Sequence, residues 1–133
     1  MIDVQAELYT IGRQAVLGKF PNAELSSTVT LKPTKYPYVA IVEQDNRVYR
    51  ATSDSESLEN HAEIMLEVTV YTTGERKQQE CRAIIGEIDK EYGKIGLQRM
   101  MLNPVTNYND TQVYRMIARY RAVISKNKEI YRR

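Results

Sequence analysis

A chain of 133 residues, 42% hydrophobic and 27% charged, has the length of one domain and enough apolar matter for a single core. A net charge of +2 is too mild to mark a nucleic-acid binder by composition, so any such case rests on where the charges sit. The single Cys81 excludes an intrachain disulfide framework, and with no long apolar run or signal-peptide core the protein is expected to be cytoplasmic and soluble, with no membrane partner.

Asp3 is the expected N-cap of a first helix, Asp3 to Leu17, with Val4, Leu8, Ile11 and Ala15 as its apolar stripe. Gly18 and Pro21 stop it. Phe20 to Pro37 is polar and rich in breakers, with at most a short strand around Val29 to Leu31. So long a weakly structured stretch is expected to be functional or to order against a partner. Tyr38 to Glu43 reads as an apolar strand, Asp45-Asn46 as a turn, and Arg47 to Ala51 as the returning strand of a hairpin.

Thr52 to Asn60 is an acidic, serine-rich loop. Ala62 to Tyr71 then alternates, with Ile64, Leu66, Val68 and Val70 on one face and Glu63, Glu67 and Thr69 on the other. A second helix, Glu75 to Tyr92, keeps helical period through Cys81, Ile84, Ile85, Ile88 and Tyr92, and Gly93 and Gly96 end it. Leu97 to Leu102 is a further strand, and Asn103 to Asp110 is turn-forming.

The closing strand, Thr111 to Ile124, is the most patterned stretch. Its even positions Tyr114, Met116, Ala118, Tyr120, Ala122 and Ile124 form an apolar row. Its odd positions set Arg115, Arg119 and Arg121 among Val113, Ile117 and Val123. Fourteen residues is long for a strand, which suggests more than one pairing neighbour or reach towards another subunit. Ser125 to Arg133 is a basic tail, either loose or paired with a neighbour.

These elements predict one α+β domain over residues 1–133, with flexible loops at about 21–37 and 52–60 and a tail at 125–133. The expected order is α-β-β-β-α-β-β, giving a mostly antiparallel mixed sheet of four to five strands with two helices on one face. The sheet face left over carries Glu63, Glu67, Arg115, Arg119 and Arg121.

Catalytic chemistry has little support in this pattern. His61 is expected at the surface, and Cys81 on a helical apolar stripe acts as a small hydrophobe. No CxxC, HExxH or glycine-rich phosphate loop is present, so no metal or cofactor is expected. Asp54, Glu56 and Glu59 allow a small metal-dependent nucleic-acid-processing enzyme as an alternative, against the plainer reading of a solvated loop. The arginine row also has two readings. It can face phosphates, as in a DNA-binding module, or acidic partner residues. Alternatively it pairs across the sheet with Glu63 and Glu67, at most about 1 kcal/mol per pair. Ten tyrosines against one phenylalanine and no tryptophan suit half-buried subunit interfaces, or simply the margin of the protein's own core.

The runs YPYVAIVEQDN, HAEIMLEVTVYT, KQQECRAIIGEIDKEYGKIGLQRM and NDTQVYRMIARYRAVI, in that order, resemble the tail terminator (tail completion) proteins of long, flexible-tailed phages and prophages. The matching pieces are the strand Glu63 to Val70, the "D…GL-R" segment Asp89 to Arg99, and the "YR…RYRA" strand Tyr114 to Ala122. The resemblance covers most of the chain after Tyr36 and does not extend to Pro21 to Lys35. It implies a non-enzymatic virion protein at the tail–head junction, present in the host cytoplasm during assembly. Its copies would form a ring, expected to be hexameric, that caps the tail tube and ends its polymerisation. The ring would bind the tail tube protein and a head-completion or connector protein, and pass DNA through its opening without reading sequence. On that view Glu63, Glu67, Arg115, Arg119 and Arg121 are interface or lumen candidates. Ser26, Thr28, Lys32 and Lys35 in one loop, with Asp54, Glu56 and Glu59 in the next, are partner-contact candidates. Another head–tail connector or neck component is the near alternative.

Overall fold

The structure is a computed structural model and describes residues 1–28, 33–48, 61–105, 112–125, 127–128 and 130. The elements are α1 (Gln5–Leu17), β1 (Glu24–Ser26), β2 (Tyr38–Val48), β3 (His61–Thr72), α2 (Lys77–Ile95), β4 (Gln98–Val105) and β5 (Tyr114–Ser125). They make an α+β domain with one mixed five-stranded sheet in the order β1-β2-β3-β5-β4. Only the β1–β2 pairing is parallel; β2–β3, β3–β5 and β4–β5 are antiparallel.

The centre of the sheet follows directly from alternation. Ile64, Leu66, Val68 and Val70 of β3 and Met116, Ala118, Tyr120, Ala122 and Ile124 of β5 bury into one core with Leu8 and Val16 of α1. Cys81, Ile84, Ile85, Ile88 and Tyr92 of α2 complete it, so both helices cover the same sheet face. Burying an aliphatic side chain of this size is worth about 1.5–3 kcal/mol, so this row dominates the fold's stability.

Helix α1 is rotated from its expected stripe. Leu8, Gly12 and Val16 are its buried residues, while Ile11 and Ala15 are half-buried. Gly12 decides the rotation. A Cβ there would lie 2.6 Å from Ile41 Cδ1 and 2.8 Å from the Tyr92 hydroxyl, so only glycine lets the helix approach this closely. Asp3 is not the N-cap; Val4 holds that position without a side-chain bond, and Asp3 Oδ1 instead accepts from the Gln5 amide at 3.2 Å. Helix α2 runs through Gly93 and ends only at Gly96, whose φ of 98° supplies the left-handed cap.

The first strands depart most from expectation. Asp45-Asn46 is not a hairpin turn: β2 continues to Val48, with a bulge between Glu43 and Asp45 taking up the irregularity. Its pairing along β3 is what keeps it extended, from Tyr38↔Tyr71 to Val48↔Ala62. The third early strand is the short β1, parallel to β2; the segment Val29 to Leu31 lies outside the described residues. Strand β4 runs on through Pro104, which an edge position tolerates because no outer neighbour needs its missing N–H. The length of β5 is taken up inside its own sheet. All twelve of its residues pair with β3, from His61↔Ser125 to Thr72↔Tyr114. The tail turns back too, through an Ile124↔Ile130 bridge and a Lys128–Glu7 ion pair at 2.7 Å.

Candidate functional site

On the face away from the helices, β3 and β5 bring four of the five charged candidates into pairs. Glu67 and Arg119 stand directly opposite in register, and Arg119 Nε donates to Glu67 Oε2 at 3.0 Å. Arg121 lies opposite Met65 and reaches diagonally, donating from Nη2 to Glu63 Oε2 at 3.1 Å. The hydrogen bond from Arg121 holds the Glu63 carboxyl below its ordinary range, against an opposing effect of burial. Arg47 stands opposite Glu63 on β2, adds to that field, and is itself held by Asp45. The result is a ladder of charges that largely neutralise one another.

Arg115 is different. It lies opposite Tyr71, with its guanidinium carbon 5.8 Å from the ring centroid, and its buried Nε has no hydrogen-bond acceptor among the described residues. Around it the face is apolar: Tyr38, Ala40, Tyr71 and Val113 are buried together, with the Tyr38 and Tyr71 rings edge to face at 6.1 Å. The arginine row is therefore no uniform cationic stripe. Two members are paired with glutamates and one sits against an aromatic ring.

Among the loop candidates, Ser26 and Thr28 bond to each other, with hydroxyls 2.9 Å apart and the Thr28 amide donating to Ser26 Oγ at 3.0 Å. That arrangement is a local turn. Lys35 is exposed and distant from the charged ladder in sequence. Lys32, Asp54, Glu56 and Glu59 lie outside the described residues. Among the described residues no group of three or more His, Cys, Asp or Glu side chains is placed to hold a metal ion, and no helix is long and apolar enough to cross a membrane. His61 is half-buried at the start of β3, opposite Ser125. Cys81 is buried, donates weakly to the Val70 carbonyl at 3.5 Å, and has its thiol pushed up to about 12 by burial, which makes it unreactive.

A junction with no local signature ties distant segments of the chain together. The Tyr120 hydroxyl donates to Asp89 Oδ1 at 2.9 Å, and Arg99 approaches the same carboxylate at 3.4 Å. Tyr120 stacks edge to face on Tyr92 at 5.2 Å, and the Tyr92 hydroxyl donates to the Leu8 carbonyl at 2.7 Å. Thus α2, β4 and β5 meet at Asp89, and α1 joins through Tyr92. The sequence signal was the tyrosine excess, because a buried ring with a polar tip needs a partner deep in the core. These two rings are core, not interface.

Compared with protein-family models the chain matches none, and no curated protein matches it in sequence.

Proposed function

We propose that this chain is a non-enzymatic structural protein of a phage virion, a tail terminator. Its copies form a ring that caps the tail tube, ends tube polymerisation and offers the joining surface for the head-side connector. What supports the reading is the Asp89 junction. The "D…GL-R" segment and the "RYR" strand carry the resemblance, and they meet through Asp89, Arg99 and Tyr120 while Gly96 caps the helix between them. Residues that are far apart in sequence therefore act as one packing unit. Its partners in this reading are further copies of itself, the tail tube protein and the connector, with DNA passing through the opening.

The pairing of Arg119 with Glu67 and of Arg121 with Glu63 weighs against the DNA-binding alternative, since a phosphate would have to displace a glutamate already in place. A ring also needs two different patches in contact around a closed rotation. Negative-stain images and native mass spectrometry of the concentrated protein, alone and co-expressed with its virion's tube protein, test the proposal. Rings, or rings formed on tube ends, are expected. Monomers under both conditions would overturn it.

A further inference from the structure

At the far end of β2 from the tyrosine pair, the chain's first residues lie over the sheet. Ile2 and Val4 are buried in the main core, and Asn46 Nδ2 donates to the Ile2 carbonyl at 2.7 Å. Glu43 borders the bulge, in register with Leu66 and thus beside a core position. Its Oε2 is buried and has no hydrogen-bond partner among the described residues. An ionised carboxylate in that position lacks both water and a donor on one oxygen.

The charged surroundings add to the difficulty. Asp3, from the first residues, and Asp45, across the bulge on its own strand, both act on Glu43 as like charges. Asn46 is its hydrogen-bonding neighbour, and among the described residues the groups acting on it include no cation. β3 contributes the apolar Leu66 in register. The nearby Lys128 is directed to Glu7, with a weaker field on Asp3. Burial first, and the two aspartates after it, raise the Glu43 carboxyl above its ordinary range.

We propose that residues 1–4 form a strap over the β2 bulge whose hold on the sheet tightens when Glu43 is neutral and loosens when it is ionised. Neutral Glu43 removes the repulsion from Asp3 and the cost of an unsolvated charge, so the Asn46–Ile2 bond and the seats of Ile2 and Val4 persist. Glu43 is half-buried, with Oε2 its enclosed oxygen, and lifting the strap would let water reach that oxygen when the group is ionised. Lifting would expose Ile2 and Val4, giving the domain an apolar patch that appears as pH rises. The inference stands independently of the tail-terminator reading.

Since the closed-state value is raised, the strap's stabilisation is complete below the ordinary carboxylate value and is lost as pH rises through the raised one. Amide hydrogen exchange by NMR on the full chain tests this, reading protection factors for Leu8, whose amide donates to the Val4 carbonyl, and for the Asn46 side-chain amide. Between about pH 4 and 8, a window spanning the carboxylate's ordinary value, protection at both should fall, by at most about tenfold per unit separating the closed and open values. Amides of β3 and β5 should keep theirs. Glu43→Gln should flatten the profile at both reporters. Asp3→Asn, an exposed change that leaves the fold intact, should move the fall to lower pH and shrink it. A wild-type profile without the fall, or the same fall in Asp3→Asn and Glu43→Gln, would overturn the proposal.

Discussion

The two faces of the β3–β5 ribbon come from the same residues in alternation, yet they are held by different physics. The helix-side face joins Leu66, Val68, Met116, Ala118 and Tyr120 to α1 and α2 in a closed apolar core. The opposite face joins Glu67 to Arg119 and Glu63 to Arg121, with side chains still partly in water. Burial on the first face is worth kilocalories per residue; the second is a set of screened pairs worth about 1 kcal/mol or less each. Most of the stability therefore belongs to the helix-side face, while the charged part of the other face can change at little cost to the fold.

The largest expected break in this comparison is Ile84→Ala, which empties a fully buried site in α2. It should destabilise by about 2–5 kcal/mol, read as a lower urea midpoint at constant slope. Gly12→Ala comes next. Its methyl group would meet Ile41 and the Tyr92 hydroxyl, so a loss of about 1–3 kcal/mol is expected in the same measurement, with α1 displaced. On the charged face, a double-mutant cycle with Glu67→Gln and Arg119→Gln should give a coupling below about 1 kcal/mol that shrinks with added salt. Arg119 is 43% exposed, which is why the coupling is small. A coupling of core size would erase the contrast between the faces.

The smallest effect is on pH dependence. Arg121 lowers the Glu63 value in the folded state, so the pair's stabilisation is present above the ordinary carboxylate value and is lost as pH falls through the lowered one. Glu63→Gln should flatten that acid limb of the stability profile slightly. Glu43 acts with the opposite sign, stabilising at low pH, so the two glutamates should be separable in one titration of unfolding free energy.

Legibility along the chain followed the physical source of each feature. The β3 and β5 faces and the α2 stripe were readable because period 2 and period 3.6 are written in the residues themselves. The β2 bulge was not, because Asp-Asn in isolation favours a turn, and only a long partner strand made extension the better choice. The length of β5 has its account inside the sheet, where it pairs with two neighbours, β3 along its whole length and β4 along part of it. Of the charged candidates, the sequence placed Glu63, Glu67, Arg119 and Arg121 on one face. It offered pairing across the sheet as one of two readings, which the structure bears out for Arg119 and Arg121, but it could not say that Arg115 lies instead against Tyr71.

Alternation and helical period alone determined the element order, the helix-covered core and the face on which the charges stand, since local spacing dictates which side of an element a residue occupies. Register and close approach were decided only in three dimensions. Which glutamate meets which arginine, why α1 turns Gly12 inward, and how Tyr120 finds Asp89 all depend on distances between segments tens of residues apart. Such distances are set by packing the whole core at once, which no local pattern encodes.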